Sequence, residues 1–290
     1  MPLEIMELQR QGGNNIAFLD QDDVWVKGFL TEEVAEEVLT GEDVIGFSFY
    51  NSNSDFSRGN LIRMREETVV WGGKIAQECC NHHSSMFYRR KFLIDDDIKY
   101  ALTRHEEVIF LQKALYLANK IRFIDRVMFL YRNNYLSETH RKQKVEELYG
   151  PLLNSWKGLL EWHKELHSDD IDTIKVVKHM ICVYAIEGVE MLYQRGIDEN
   201  VAEKIIDEYF CRDFLENYEN IVLSDNRRLE ISEYCFHKNE FIKKQYKLGM
   251  REHWKNKLKR FEFVRKINDK KNYKVVIPKE YIQVVDKWNK

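Results

Sequence analysis

The sequence predicts an α/β protein in which a partial β-sheet is followed by a C-terminal helical domain. In the first half of the 290 residues, short apolar runs alternate with amphipathic segments, the pattern of strands and helices that share one sheet domain. After Arg141, apolar residues recur mainly at helical spacing. We therefore predict an α/β domain over residues 1–141, a helical domain over 142–240 and a basic amphipathic tail over 241–290.

The elements of the first domain follow from local pattern. Residues 1–11 favour a short helix that ends at Gly12 and Gly13, and the apolar run Ile16–Leu19 predicts a buried strand. Further along, the pattern predicts a helix over Thr31–Leu39, a strand over Val44–Tyr50, a loop over Asn51–Asn60, a helix over Glu106–Asn119 and a strand over Arg122–Tyr131. Strands and helices thus alternate along this domain.

The second domain is predicted from two apolar stripes at helical spacing. One stripe comprises Leu152, Trp156, Leu159, His163 and Leu166, and the other Ile174, Val177, Ile181, Tyr184, Gly188 and Met191. Between them, Ser168–Asp170 predicts a loop with capping residues. Aromatic residues from Tyr209 to Tyr218 continue the pattern on a third helix. We interpret His163 as a core histidine, because it lies on an apolar stripe.

An acidic run directly follows the first predicted strand. Asp20, Asp22 and Asp23 come after Leu19 and precede Trp25. Because side chains alternate along a strand, Asp20 and Asp22 are expected on the same side as the chain leaves the sheet. Two carboxylates suit Mg²⁺ or Mn²⁺, with coordination positions left for phosphate oxygens of a substrate. The alternative is a turn that caps the next helix, since Asp is favoured at both places.

This run resembles the Asp-x-Asp signature of family-2 glycosyltransferases of the GT-A type. Three later segments match the same family in order: Arg89–Leu93 followed by Ile98–Tyr100, then His105–Leu111 with its pair of acids, and Phe129–Arg132. The resemblance covers residues 14–140. It implies a partial GT-A (Rossmann-like) sheet and a protein that transfers sugar from a nucleotide sugar.

The resemblance also implies roles for individual residues. Asp20 and Asp22 would hold the metal, and Asp23 would take part in binding the cofactor. Glu106 and Glu107 form the acidic pair, in which Glu107 would be the general base for the acceptor hydroxyl. The family most often has Asp at this second position. The alternative for both residues is that they are acids in the first turn of a helix, where they favour the macrodipole.

Three histidines invite a metal interpretation. His140 follows the last matching segment, where some family members have a further metal ligand, and the alternative is an exposed loop histidine. Adjacent residues such as His82 and His83 do not share a face of a helix or strand. We therefore interpret these two as loop residues near the acceptor side.

The resemblance implies an inverting glycosyltransferase acting in polysaccharide or glycoconjugate synthesis. Its partners would be a nucleotide-sugar donor and a saccharide or lipid-linked saccharide acceptor. The nucleoside-binding half of the family is not visible before Asp20, so the strand at Ile16–Leu19 is expected to have an open apolar edge. A partner chain could complete the sheet there. The alternative function is a non-catalytic remnant that serves as a binding or assembly module.

Residues 243–271 are rich in Lys and Arg, with Trp254, Leu258 and Phe261 at helical spacing, which predicts a basic amphipathic helix. Such a segment can lie on an anionic membrane surface. The alternative is a solvated face whose Trp254 and Phe261 pack on the helical domain. Nucleic-acid binding is not expected, since no recognition motif accompanies the charge.

The remaining composition points to a cytoplasmic location, with the tail at the inner face of the membrane. The formal net charge is -3, and no apolar run is long enough to span a bilayer. The N-terminus lacks the basic start and apolar core of a signal peptide. The five cysteines have no paired metal-binding spacing, so reduced structural thiols are expected.

Overall fold

A computed structural model gives the fold. It describes residues 13–20, 22–29, 31, 36, 40–70, 82–99, 105–133, 144–210, 233, 236–258 and 261–282. The chain forms two compact units. The sheet unit comprises Met1–Leu102, Phe110–Arg141 and Lys266–Lys290, and the helical unit comprises Thr103–Ile109 and Lys142–Arg265. The domain boundaries that the sequence predicts at residues 141 and 240 remain predictions.

The sheet unit is built on one mixed sheet. Its strands are β1 (Asn15–Ala17), β2 (Val24–Trp25), β3 (Val44–Ser52), β4 (Arg58–Ile62), β5 (Glu67–Val70), β6 (Met86–Arg89), β7 (Lys120–Arg132) and β8 (Val275–Val276). One path of pairing runs β1-β6-β3-β4-β8, and β7 pairs with β2, β3 and β5. The pairing of β3 with β7 is parallel, while the other pairs are antiparallel.

The central strand β3 is buried on both faces, as expected for a strand with neighbours on each side. Ile45, Phe47 and Phe49 belong to the core on one face, and Val44 belongs to the core on the other. A Cβ at Gly46 would lie 2.6 Å from the ring of Phe123, its partner on β7. Glycine is therefore required where this ring crosses the strand.

Two helices cover the face that carries Val44. Helix α1 (Arg90–Asp95) contributes Phe92 and Leu93, and helix α2 (Glu106–Leu117) contributes Phe110 and Ala114. Phe92 and Leu93 are adjacent, and Phe110 and Ala114 are four positions apart, so each helix buries one side against the sheet. The packing explains why the predicted helix at Glu106–Asn119 forms, although it ends at Leu117.

A buried carboxylate, Asp43, joins the ends of three strands. Its side chain forms an ion pair with Arg89 at the end of β6. Its Oδ2 accepts hydrogen bonds from the backbone N–H of Asn119 (2.8 Å) and of Lys120 (3.3 Å), where β7 begins. The charge is thus paired and hydrogen-bonded, which a buried carboxylate needs in order to be tolerated.

The helical unit contains α3 (Val145–Leu166), α4 (Ile171–Gln194), α5 (Glu199–Ile205), followed by a π-helical turn at Ile206–Phe210, and α6 (Lys238–Leu258). Asp170 caps α4 and accepts a hydrogen bond from Thr173 N at 3.0 Å, as the sequence predicts. His163 is buried in contact with Trp162 and His167, which confirms its interpretation as a core histidine.

Helices α4 and α6 approach each other closely at Gly249. A Cβ added to Gly249 would lie 2.2 Å from Tyr193 Cβ and 3.0 Å from the backbone nitrogen of Gln194. The second contact involves backbone, which cannot rotate away as a side chain can. Any larger residue at this position would therefore force the two helices apart.

The chain continues from α6 through Phe261 into α7 (Glu262–Asn272), β8 and α8 (Lys279–Ile282). The prediction of one continuous helix over residues 243–271 is therefore wrong. One helix ends at Leu258 and the next begins at Glu262, with Phe261 in a bend before it. The segment beyond α7 returns to the sheet: Arg58 Nε donates a hydrogen bond to Tyr273 O at 2.8 Å, and β8 pairs with β4.

Strands β2, β4, β5 and β6 were not predicted. Part of the predicted loop at Asn51–Asn60 forms the end of β3 and the start of β4, and β5 and β6 were not assigned. The predicted helices at residues 1–11 and 209–218, and most of the one at 31–39, lie outside the described residues. No helix in the described part of the chain is both long and apolar enough to cross a membrane.

We expect Asp43→Ala to lower the free energy of unfolding by about 3–5 kcal/mol, because it leaves Arg89 and two backbone N–H groups without their acceptor. Urea denaturation measures this change. The matched control is Asp95→Ala, which removes an exposed carboxylate paired with Lys91 in α1 and should cost less than about 1 kcal/mol. Equal stability of the two variants would show that Asp43 does not hold the strand ends.

Candidate functional site

The acidic run forms a turn beyond β1. The strand ends at Ala17, and the N–H of Asp23 donates a hydrogen bond to the carbonyl of Asp20 at 3.1 Å. The alternation of a strand therefore does not set the direction of Asp20 and Asp22, and this step of the sequence argument is wrong. Asp20 is exposed and Asp22 is half-buried, whereas Asp23 is buried.

Asp23 connects this acidic turn to the end of β7. Its Oδ1 accepts a hydrogen bond from the backbone N–H of Arg132 at 2.8 Å. Its Oδ2 is buried and has no hydrogen-bond partner among the described residues. Val24 and Trp25, which follow, pair with Leu130 and Phe129 of β7. The turn is therefore fixed to the sheet by backbone contacts on its C-terminal side.

Asp23 is held in an environment that disfavours its charge. The pKa of Asp23 is raised to about 7, mainly by burial and also by the negative charges of Asp20 and Asp22, while the hydrogen bond and positive charge of Arg132 act to lower it. The three carboxylates therefore lie within electrostatic reach of one another. The guanidinium of Arg132 stacks over the ring of Phe56, 4.3 Å from its centroid.

The donor set of the turn fits a hard divalent cation. All three side chains offer carboxylate oxygens, one of them has an unpaired buried oxygen, and a cation would relieve their mutual repulsion. Within the residues that the structure describes, no group of three or more His, Cys, Asp or Glu is arranged as a metal site. A cation at Asp20 and Asp22 would therefore take further ligands from elsewhere, as Mg²⁺ does with substrate phosphates.

Glu107 lies in the first turn of α2, next to an unusual residue. His105 precedes the helix with a positive φ of 62°, a left-handed conformation that costs energy for a residue with a side chain. Its Nδ1 lies 3.5 Å from Glu107 Oε1. The half-buried carboxylate of Glu107 is therefore in contact with the imidazole that this backbone conformation places beside it.

Within the helical unit, the charge of Glu107 acts on Tyr184 of α4. The pKa of Tyr184 is raised to about 12, mainly by burial and also by the charges of Glu187 and Glu107. The ring of Tyr184 stacks on Trp156, with 5.8 Å between ring centroids. Glu107 thus has an electrostatic neighbour on α4 that the acidic pair alone does not reveal.

The structure places the other predicted residues as follows. Glu106 begins α2, but its side chain lies outside the described part of the chain, as does all of His140. The ring of His82 packs between Phe49 and Tyr131, while His83 packs on Phe18. The two histidines thus contact different aromatic groups, as expected for adjacent residues.

Solved structures of S. aureus TarS are similar in fold to this chain. Residues 1–349 of S. aureus TarS in complex with UDP-GlcNAc match with a TM-score of 0.55 and 14% identity, over 87% of this chain and 70% of that one. A second structure of TarS 1–349 matches with a TM-score of 0.52 and 14% identity, over 87% of this chain and 69% of that one. A further structure of S. aureus TarS matches with a TM-score of 0.51 and 16% identity, over 83% of this chain and 41% of that one. No protein-family model and no curated protein matches the sequence.

At this identity the likeness concerns the fold. The predicted fold class is confirmed: the protein is α/β, with a sheet and a helical part, a fold similar to that of the TarS structures. Sequence reasoning missed His105 as a neighbour of the acidic pair. The position of His105 directly before Glu106 was visible in the sequence. Its left-handed backbone conformation could not be recognised from the residue type.

We expect the stability of the metal-free protein to depend on pH through Asp23. Between about pH 4 and pH 7 the folded state holds a proton that the unfolded state has released. The free energy of unfolding should therefore fall as pH rises through this window, by up to about 1.4 kcal/mol per pH unit from this group, and level off above it. Urea denaturation in a chelator, at several pH values, measures the effect.

Asp23→Asn should remove the pH dependence that Asp23 causes. The free energy of unfolding of this variant, relative to that of the unaltered protein, should therefore rise from pH 4 to pH 7. Asp95→Asn is the control and should run parallel to the unaltered protein, because it removes an exposed carboxylate. A constant difference for Asp23→Asn across the window would contradict the raised pKa.

Proposed function

We propose that this chain is an inverting glycosyltransferase of family 2, of the GT-A type. It would transfer a sugar from a nucleotide diphosphate to a saccharide or lipid-linked saccharide in polysaccharide or glycoconjugate synthesis. The observation that carries the proposal is the acidic turn, where the charges of Asp20 and Asp22 act on the buried Asp23 and one oxygen of Asp23 has no hydrogen-bond partner among the described residues. Such an arrangement is costly for stability alone and suits a site that binds a cation and a diphosphate.

The acidic turn binds the donor in this proposal. Asp20 and Asp22 hold Mn²⁺ or Mg²⁺, with His140 as a further ligand, and the bound cation would neutralise charge on the leaving nucleoside diphosphate. Asp23 takes part in cofactor binding from the buried side of the turn. Its hydrogen bond to Arg132 N fixes the turn, so the two ligating carboxylates are presented from a rigid base.

Glu107 serves as the general base. It accepts the proton of the acceptor hydroxyl while that oxygen forms a bond to the anomeric carbon, and the bond from this carbon to the diphosphate oxygen breaks. The nucleoside diphosphate leaves with the electron pair of the broken bond. His105 positions the carboxylate, since its Nδ1 contacts Glu107 Oε1. Glu106 completes the acidic pair.

The similar structures support the class of donor. One of them is a complex of TarS, a glycosyltransferase, with UDP-GlcNAc, a nucleotide sugar. Uridine diphosphate sugars are therefore the first donors to try, followed by guanosine and thymidine diphosphate sugars. The donor sugar is expected to bind to the sheet unit, which carries the acidic turn.

A second function is favoured by the position of β1. In the described part of the sheet, β1 pairs with β6 alone and lies at an edge. An edge strand presents backbone groups that can pair with another strand. A partner chain that supplies a nucleoside-binding half would complete the sheet there. Without such a partner, the chain would serve as a non-catalytic binding or assembly module.

Isothermal titration calorimetry with UDP-GlcNAc and other sugar nucleotides in the presence of Mn²⁺ tests donor binding. We expect Asp22→Asn to weaken binding by about a hundredfold or more, because changes to residues that only support metal ligands already cost 10–100-fold. Asp95→Asn, in the same unit, should bind as the unaltered protein does. No heat for any donor would favour the binding or assembly module.

The role of Glu107 is tested by Glu107→Gln. We expect this variant to bind donor normally while transfer falls about 10²–10⁴-fold, because an amide cannot accept the hydroxyl proton. Release of nucleoside diphosphate measures transfer, with a saccharide acceptor that supports turnover by the unaltered protein. Glu161→Gln, an exposed carboxylate of α3, should keep full activity. Unchanged turnover by Glu107→Gln would rule out its role as base.

A further inference from the structure

Helix α6 has two unlike faces. Phe241, Ile242, Gln245 and Gly249 are buried, and they recur at spacings that place them on one side of the helix. A stripe of four exposed residues runs along the opposite side, and Phe261, three positions beyond the end of the helix, is exposed as well. We call these five residues the outer face: Lys247, Arg251, Trp254, Leu258 and Phe261.

The outer face exposes large apolar side chains. Trp254 is 59% exposed, Leu258 is 55% exposed and Phe261 is 65% exposed. The alternative that Trp254 and Phe261 pack on the helical domain is therefore wrong. Single exposed apolar residues are common on soluble proteins, but a row of them along one helix face marks a surface that binds something.

The same face carries positive charge without local compensation. Neither Lys247 nor Arg251 forms an ion pair with any residue that the structure describes. The ammonium of Lys257 lies over the ring of Trp254, 4.6 Å from its centroid. The chain as a whole has a net charge of -3, so this positive surface is a local feature.

We propose that the outer face binds an anionic lipid surface. The cations complement phosphate head groups, the indole of Trp254 suits the boundary between head groups and acyl chains, and Leu258 and Phe261 can enter the apolar layer. Nucleic acid would match the charge but would leave Leu258 against phosphate. The proposal is independent of sugar transfer, because it rests on residues that have no role in the reaction.

Sedimentation of the full-length protein with vesicles tests the proposal. We expect binding to vesicles of phosphatidylcholine with one quarter phosphatidylglycerol, and little binding to phosphatidylcholine alone. The double variant Lys247→Gln/Arg251→Gln should weaken binding about tenfold or more, since each basic residue near an anionic surface contributes severalfold. Lys164→Gln/Lys204→Gln removes the same charge from other helices of this unit and should bind normally.

The emission of Trp254 separates insertion from charge attraction alone. Addition of anionic vesicles should shift tryptophan emission to shorter wavelength, and Trp254→Phe should abolish most of this shift while keeping the fold, as checked by circular dichroism. Equal loss of binding in the two double variants would overturn the proposal. So would a concentration-dependent dimer without vesicles that disappears in Leu258→Ser, since a second copy would then cover the outer face.

Discussion

The sheet depends on the satisfaction of one buried charge. Asp43 lies where β3 begins, and it binds the end of β6 through Arg89 and the start of β7 through the N–H groups of Asn119 and Lys120. Because these groups must meet at one carboxylate, the parallel strands β3 and β7 are aligned from their first residues. The register of this pair shifts around Ser48. Beyond the shift, β7 runs on to Arg132, whose backbone N–H donates a hydrogen bond to Asp23 of the acidic turn.

The acidic turn shows why such a rigid base is needed. Asp23 is buried beside two carboxylates, which raises its pKa and disfavours the folded state whenever it is charged. The pairing of β2 and the hydrogen bond from Arg132 N keep it in place nevertheless. The left-handed backbone at His105 is tolerated in a similar way. The helix that follows it is held by Val108, which packs against the core of the helical unit. Both sites therefore combine an unfavourable local state with a well-packed support.

Sequence patterns predicted the parts of the fold that depend on local chemistry. The long apolar strands, the helix at the acidic pair and the capped turn before α4 were found where residue spacing placed them. Short strands were missed because they are defined by pairing: β4 begins in a polar segment and forms only because β3 and β8 flank it. For the site, the sequence identified the carboxylates. It could not give the environment of Asp23 or the effect of Glu107 on Tyr184, because these depend on residues more than seventy positions apart.

The close approach at Gly249 has a consequence for the direction in which α6 presents its side chains. Tyr193 and Gln194 leave no room for any larger residue at this point, so sliding α6 by one position would place Met250 against the same stretch of backbone. One residue of a helix corresponds to a rotation of about 100°. A single inserted or deleted residue beyond Gly249 would therefore turn Trp254 and Leu258 to a different side, with the core contacts upstream unchanged. The close packing at Gly249 therefore fixes the rotation of the helix about its own axis, and with it the directions of the side chains that follow.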